Sequence, residues 1–225
     1  MTTMLQMKPS EEYAIDTIQA HVQPVLPADR IRGLLHAIDR NLPARDDGGC
    51  PIVHFISAYK SEGADLIAFE TAVVAARGGK RVLFVDTCAG KSSLPKRLRI
   101  NTDVQLHGGG RGVSPFLQVE GTSLFLAVLP ESAGAPDVAL IQTLRKRFDL
   151  IAIYSEGALV CPLALTLFGL ADGCILVAEA ERTRIPVIKR LQALVNTNGG
   201  RTIGAVLNKR KFHIPGLVYS LFFGS

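Results

Sequence analysis

The chain has 225 residues, 48% of them hydrophobic, and its formal net charge is +5 at pH 7. This length suits one α/β domain with a sizeable buried core and is short for two. The mild positive charge permits contact with anionic lipid or acidic partners. Because no array of aromatic and basic residues accompanies it, nucleic acid is not an expected partner. Four scattered cysteines without Cys-x-x-Cys spacing exclude a disulfide framework and a zinc site, so no metal site is expected.

The first 27 residues are predicted to form a partly ordered N-terminal arm, and residues 28–225 a single domain. The arm has no basic segment followed by an apolar run, so it is not a signal peptide. The helix "ADRIRGLLHAIDRNL" opens the domain. Packing onto the domain is one interpretation of its apolar face, and self-association is the alternative; the face consists of Ile31, Leu34, Leu35 and Ile38.

Short, continuous apolar runs rich in β-branched residues follow, and they are typical of strands buried in a parallel sheet. They read "IVHFIS", "RVLFVD", "SLFLAVLP", "LIAIY", "CILVAEA" and "TIGAVLN". Helical patterns lie between them: "DLIAFETAVVAAR", "DVALIQTLRKRF", "LALTLFGL" and "RIPVIKRLQALVNT". This alternation predicts an α/β fold with a doubly wound, mostly parallel sheet flanked by helices. Ligands of such sheets bind at the carboxyl ends of the strands, so the loops to inspect follow Ser57, Asp86, Tyr154 and Asn208.

Those loops read "SAYKSEGAD", "DTCAGKSSL", "YSEG" and "NKRK". In this order and setting the chain resembles the P-loop ATPases of the MinD/ParA type. It is most similar to the cytoplasmic tyrosine-kinase domains that regulate bacterial capsular and exopolysaccharide export. The resemblance covers roughly residues 28 to 222 and implies a P-loop NTPase-like fold with a nucleotide loop after the first strand of the domain.

The first loop departs from the family pattern, which is approximately S-A-x-P-G-E-G-K-S. A phosphate loop binds its anion through backbone N–H groups, a helix N-terminus and a lysine, while a hydroxyl holds Mg²⁺. Here Ala64 replaces the lysine and Asp65 the hydroxyl residue, and we expect Asp65 to fill the anion site and repel phosphates. Lys60 stands at the family's proline and is expected to be a surface lysine. The degenerate positions are Lys60, Ser61, Glu62, Gly63, Ala64 and Asp65.

The second and third loops depart as well. Where the family has D-x-D, Asp86 is present but Cys88 takes the second position, and Asp86 is open to two interpretations, a turn residue or a remnant of a metal site. Tyr154 takes the place of the magnesium-organising aspartate of the third loop, and a phenol is neutral at pH 7. Glu156 offers partial compensation. Asn208 matches an asparagine that reads the adenine base in the family.

The C-terminal segment combines a basic run with bulky apolar residues, which suits docking on an anionic membrane or in a partner's groove. The alternative is a final helix packed on the domain's own sheet. The tyrosine cluster typical of the family is reduced to Tyr219, and the glycines of "HGGGRGVSP" are predicted to provide flexibility only. The docking candidates are Lys209, Arg210, Lys211, Leu217, Leu221 and Phe222.

The leading hypothesis is a catalytically inactive, tyrosine-kinase-like pseudo-ATPase that does not bind ATP or Mg²⁺. It would act as an interaction or regulatory subunit in bacterial exopolysaccharide biosynthesis and export. The resemblance implies a membrane-anchored, Wzz-like polysaccharide co-polymerase or its cytoplasmic tail as partner, a candidate homo-oligomer, and a location in the cytoplasm or peripheral to the inner membrane. One alternative is an active ATPase or tyrosine kinase using Lys60 or Lys91. Another is a MinD/ParA-like membrane-associated spatial organiser.

Overall fold

A computed structural model of the chain describes residues 15–18, 26–43, 45, 48–88, 116–128, 138–155, 157–159 and 161–210. Eight strands, five α-helices and one 3₁₀ turn lie within these ranges. The strands are β1 (Ile15–Ile18), β2 (Ile52–Ser57), β3 (Val82–Asp86), β4 (Phe116–Val119), β5 (Leu124–Val128), β6 (Leu150–Tyr154), β7 (Gly173–Glu179) and β8 (Thr202–Asn208). The helices are α1 (Ala28–Asn41), α2 (Ala64–Arg77), α3 (Val138–Arg147), α4 (Pro162–Phe168) and α5 (Ile185–Thr197), with the 3₁₀ turn at Lys60–Glu62.

The strands form one sheet in the order β1-β4-β5-β3-β6-β2-β7-β8. The β4–β5 pair is antiparallel and the other pairs are parallel. All six residues of β2 and all five of β6 are buried, as expected for central strands covered on both faces. The predicted α/β fold with a mostly parallel sheet is therefore confirmed. The sequence patterns missed β1, which lies in the segment set apart as an N-terminal arm, and β4.

Helix α2 explains how the first loop is held. It begins directly after Gly63, and eleven of its fourteen residues are buried, because its Ala- and Val-rich surface packs against the sheet and α1. Phe69 meets Phe84 of β3 edge to face, with ring centroids 5.5 Å apart. Burying one such side chain contributes about 1.5–3 kcal/mol, so the helix that carries Ala64 and Asp65 in its first turn is firmly anchored.

The amino ends of the strands are joined by a buried ion cluster around Asp172. Its carboxylate accepts hydrogen bonds from the Ile52 N–H (2.7 Å), from Arg145 Nη1 (2.6 Å) and from the Arg45 guanidinium. Arg145 also donates to the carbonyl oxygen of Cys50 at 2.7 Å. The cluster therefore ties α3 to the starts of β2 and β7, at the opposite end of the sheet from the four loops.

All four cysteines are buried, and none of them forms a disulfide. Burial raises the pKa of Cys50 to about 11 and that of Cys174 to about 12, so both thiols are protonated at neutral pH. Buried, protonated thiols of this kind act as small apolar packing residues. Among the residues that the structure describes, no helix has the length and apolar character needed to cross a membrane.

Candidate functional site

The first loop connects β2 to α2 through a 3₁₀ turn and a left-handed glycine. Gly63 has φ 88°, a conformation that favours glycine, and it ends the turn at Lys60–Glu62 and precedes the helix. Ala64 is fully buried and Asp65 is half-buried in the first helical turn. Lys60 and Ser61 are exposed. The backbone therefore has the strand–loop–helix form that the sequence predicts, while its side chains differ from those of a phosphate loop.

Glu62 points into this loop rather than into solvent. Its side chain is buried, with only 3% of the residue exposed. One carboxylate oxygen accepts a hydrogen bond from the Tyr59 N–H at 2.9 Å, and the other accepts from the hydroxyl of Thr183. Thr183 lies between β7 and α5 and in turn accepts from the Glu179 N–H at 3.0 Å. Glu62 thus joins the loop to the neighbouring β7–α5 connection.

The end of β8 closes on the same loop. The Asn208 amide donates to the carbonyl oxygen of Glu62 at 3.0 Å, and a Cβ atom added to Gly63 would lie 2.3 Å from Asn208 Nδ2. The Lys209 ammonium donates to the Ser61 carbonyl at 2.5 Å and forms an ion pair with Glu179 at 3.2 Å. Lys209 itself has φ 55°, a region that non-glycine residues rarely adopt. Both side chains therefore contact the backbone of the loop.

The substituted positions at the ends of β3 and β6, Cys88 and Tyr154, lie close together. The Tyr154 phenol is hydrogen bonded to the Cys88 side chain, and burial is the main cause that raises the pKa of Tyr154, with further contributions from Cys88, Asp65 and Asp86. The phenol is therefore neutral at pH 7. Asp86 Oδ1 accepts from the Cys88 N–H at 2.8 Å, which is the turn geometry given as one of its two interpretations. That Asp65 fills the anion site of the loop stays a prediction.

The third loop packs directly against the first. The Ala158 N–H donates to the Ser57 carbonyl at 2.9 Å. A Cβ atom on Gly157 would lie 2.6 Å from the carbonyl oxygen of Ala58 and 2.8 Å from the Cα atom of Tyr59. Only a glycine allows this approach of two backbones. The sequence signal was the glycine after Glu156, and it gives no indication of what the glycine touches.

A buried polar pair that the sequence patterns missed lies beneath these loops. His54 is fully buried in β2, and its Nε2 atom lies 2.7 Å from Ser155 Oγ. Its Nδ1 atom has no hydrogen-bond partner within the described ranges. Burial lowers the pKa of His54 to about 3, so the imidazole is neutral at pH 7. The sequence signal that could have indicated this pair is the histidine in the middle of the apolar run "IVHFIS".

A groove of about 1040 Å³ lies beside the first loop, between α1 and the end of β8. Lys60, Asp65, Asn208 and Arg210 are among the residues that line it. In the part of the chain that the structure describes, no group of three or more His, Cys, Asp or Glu residues could hold a metal ion.

Several predicted residues lie outside the described ranges: Lys91, Glu156, Lys211, Leu217, Tyr219, Leu221, Phe222 and the loop from His107.

Comparison with known proteins identifies the fold. No family model matches the sequence, and no curated protein matches it by sequence. Among solved structures, the chimerical protein CapA2B2 is similar with a TM-score of 0.69 and 18% identity, covering 89% of this chain and 96% of that chain. The kinase domain of the Escherichia coli tyrosine kinase ETK gives a TM-score of 0.62 and 14% identity, covering 90% and 93%. The cell division ATPase MinD of Pyrococcus furiosus gives 0.57 and 19%, covering 73% and 76%.

These similarities define the class of protein by its fold. The chain has the fold of the MinD/ParA-type P-loop ATPases, and its structural neighbours include bacterial tyrosine-kinase domains. The resemblance inferred from the four loops is therefore confirmed at the level of the fold.

Proposed function

We propose that this chain is a catalytically inactive relative of the tyrosine-kinase domains it resembles, and that it acts as an interaction or regulatory subunit in bacterial exopolysaccharide biosynthesis and export. The observation that carries the proposal is that side chains of the chain itself bind the backbone of the first loop. Glu62, Asn208 and Lys209 bind the loop's own backbone, so the loop is held by protein groups. In a working phosphate loop the backbone N–H groups bind the phosphates, whereas here the Tyr59 N–H is bound by the Glu62 carboxylate.

The charges of the site support the same conclusion. Phosphoryl transfer depends almost wholly on positioned cations and hydrogen-bond donors that stabilise the transferred group. Ala64 brings a buried methyl group to the lysine position, and Asp65 brings a carboxylate to the first helical turn. Two like charges about 4 Å apart repel by roughly 1–4 kcal/mol, depending on the local dielectric. With the neutral Tyr154 at the magnesium-organising position, these residues do not suit a Mg²⁺–nucleotide.

Titration calorimetry of the full chain with Mg-ATP and Mg-ADP tests the inactivity, together with a phosphate-release assay. We expect neither saturable heat nor turnover. Micromolar binding accompanied by turnover would overturn the proposal. The variant Ala64→Lys with Asp65→Ser is the matched control. If it gains binding, the loss in the natural chain is assigned to these two positions.

An active enzyme with a rearranged site is the second candidate, because Lys60 is exposed on the loop and lines the adjoining groove. That candidate predicts measurable hydrolysis that Lys60→Ala or Lys91→Ala abolishes. The proposed function predicts that there is no hydrolysis for either substitution to abolish. The rate of hydrolysis by the natural chain therefore distinguishes the two candidate functions. If hydrolysis is found, the two variants show whether Lys60 or Lys91 supports it.

The proposed partner is a membrane-anchored polysaccharide co-polymerase, recognised through its cytoplasmic tail. The proposal follows from the resemblance of the four loops to the export-associated kinase domains, and this chain shares the fold of such a domain, the kinase domain of ETK. Because the loop is held by its own side chains, the complex should form to the same extent with and without Mg-ATP. Co-purification of the full chain with a co-polymerase tail from the same genome tests this, and a complex that requires ATP would contradict it.

A further inference from the structure

The groove beside the first loop follows the outer edge of the sheet. Strand β8 is the last strand in the sheet order, and among the strands that the structure describes it pairs only with β7. The consecutive residues 205–210 all line the groove. Because successive side chains of a strand point to opposite faces of the sheet, a groove that contacts all of them runs along the strand's edge. The opposite wall is one face at the start of α1, formed by Pro27, Arg30, Ile31 and Leu34.

Aliphatic side chains line this groove from three directions, namely from the start of α1, from the first turn of α2 and from β8. Among them are Leu26, Leu34, Leu66, Val206 and Leu207. The residue Leu207 is 59% exposed. The groove's volume of about 1040 Å³ lies at the upper limit of small-molecule pockets, which measure about 300–1,000 Å³. Its size and apolar lining therefore suit a peptide segment that inserts several apolar side chains.

The charged residues of the groove do not require a charged ligand. Lys60, Asp65 and Arg210 each interact with other groups of the protein. The Lys209 ammonium forms its ion pair with Glu179 at 3.2 Å. Four of the five charged residues that line the groove are therefore already engaged within the domain. The apolar lining then determines which segment fits.

The chain continues from the end of this groove into an uncharged apolar segment. After β8, Lys209 takes a left-handed conformation with φ 55°, and its N–H donates to Asn208 Oδ1 at 2.8 Å. Lys209 and Arg210 still line the groove, and Arg210 is the last described residue. Residues 212–223 read "FHIPGLVYSLFF" and contain no Asp, Glu, Lys or Arg, while eight of these twelve are large aliphatic or aromatic residues. Transfer of such side chains from water into an apolar groove is favourable.

The lengths of the groove and of this segment agree. Residues 27–34 and the strand residues 205–208 each span about 10 Å. A helix over residues 217–223 would also be about 10 Å long, with positions 217, 218, 221 and 222 on one side. The connecting residues 211–216 reach about 20 Å when extended and contain the turn signal Pro215-Gly216. They are therefore long enough to lead the chain back into the groove.

We propose that residues 217–223 of this chain occupy the groove between α1 and β8. A short tether gives the segment an effective concentration on the order of millimolar, so a separate ligand of the groove has to displace it. Leu217, Leu221 and Phe222 then face the domain, and the segment covers the side of the first loop on which Lys60 and Asp65 line the groove. The inference goes beyond the proposed function and holds whether or not the chain binds nucleotide.

Fluorescence of the full chain tests the proposal, because the sequence contains no tryptophan and Phe222→Trp introduces a single indole. In the isolated chain we expect the emission of a buried indole, weak quenching by iodide and no change on dilution. Adding Leu207→Asp places a carboxylate in the groove, so the emission should shift to longer wavelength and the iodide quenching constant should rise several-fold. The matched control is Ile185→Asp, since Ile185 is also an exposed aliphatic residue, at 69%, but is not among the residues that line the groove. It should change neither quantity.

Amide hydrogen exchange provides a second measurement that needs no probe in the segment. In L217D/L221D, exchange at residues 26–34 and 205–210 should be faster than in the natural chain, while exchange in β3 should be unchanged and so verify the fold.

The proposal is overturned if the indole is open to iodide in the isolated chain, if Ile185→Asp shifts the emission as far as Leu207→Asp, or if exchange along the groove is unchanged in L217D/L221D. It is equally overturned if burial of the indole is lost on dilution, which would identify a second copy as the occupant. Burial that arises only on addition of anionic vesicles or of a co-polymerase tail would also overturn it.

Discussion

Removing the Glu62 carboxylate should destabilise the first loop and the whole fold. Glu62 is 3% exposed and accepts two hydrogen bonds, from the Tyr59 N–H and the Thr183 hydroxyl. A hydrogen bond to a charged group contributes about 1.5–3 kcal/mol. The Tyr59 side chain is half exposed, so water can reach this part of the loop. For Glu62→Ala we therefore expect a loss of about 3 kcal/mol in the free energy of unfolding.

A double-mutant cycle isolates the long-range part of this effect. Thr183→Val removes the hydroxyl that bonds to Glu62 and leaves the Glu179 N–H without its acceptor. If the Glu62–Thr183 bond stabilises the fold, the two substitutions together cost less than the sum of each alone, with a coupling of about 1–2 kcal/mol. Urea unfolding followed by circular dichroism gives each free energy.

The matched control for this cycle is Thr71→Val. The Thr71 hydroxyl is buried, whereas that of Thr183 is partly buried; the Thr71 hydroxyl bonds to the Ile67 carbonyl within α2 and shares no partner with Glu62. Glu62→Ala combined with Thr71→Val should therefore be additive. Additivity of Glu62→Ala and Thr183→Val to within about 0.5 kcal/mol would show that the two side chains share no hydrogen bond that stabilises the fold.

Three further predictions concern the buried groups. Asp172→Ala leaves the buried Arg145 guanidinium without its carboxylate, and we expect a loss of about 3–5 kcal/mol in the free energy of unfolding by urea. Gly157→Ala forces a Cβ atom to within 2.6 Å of the Ala58 carbonyl oxygen, so the melting temperature should fall by an amount equivalent to about 1–3 kcal/mol; an unchanged value would show that the loops do not press together. His54 has a folded-state pKa of about 3, below its ordinary value of 6.5, so the unfolded chain binds the proton more readily. The stability associated with a neutral His54 is therefore present above pH 6.5 and is lost as the pH falls, and the free energy of unfolding should decrease by about 2 kcal/mol between pH 7 and pH 5. His54→Gln should remove this part of the pH dependence, as measured by urea unfolding.

The elements of the fold were largely predictable from local patterns. The six apolar runs correspond to β2, β3, β5, β6, β7 and β8, because strands buried on both faces carry continuous apolar sequence. Helix α2 begins one residue before its predicted pattern and ends with it at Arg77. By contrast, β1 and β4 have four residues each; β1 is an edge strand, and β4 lies between β1 and β5. Such short strands have no long continuous apolar run by which they can be recognised.

For the candidate site, the sequence by itself determined which chemical groups are present. By their spacing along the chain, four residues align with family positions that carry charged or hydroxyl groups: Ala64, Asp65, Cys88 and Tyr154. The sequence suffices for this alignment because the spacing of residues along a strand–loop–helix unit is a local property. That the four substituted positions converge could be expected, since parallel strands end at the same edge of the sheet.

Only the tertiary structure decided what holds the first loop. Glu62 bonds to Thr183, which is 121 residues away, and Lys209 reaches a carbonyl 148 residues away. The sequence predicted Asn208 as a possible remnant of a base site and Lys209 as a candidate docking residue, and both stay predictions; the structure adds that both side chains contact the loop's backbone. The partner of a polar side chain depends on which strands are neighbours in the sheet. Local sequence patterns carry no information on that order, and so the closure of the loop appears only when β2, β7 and β8 are placed side by side.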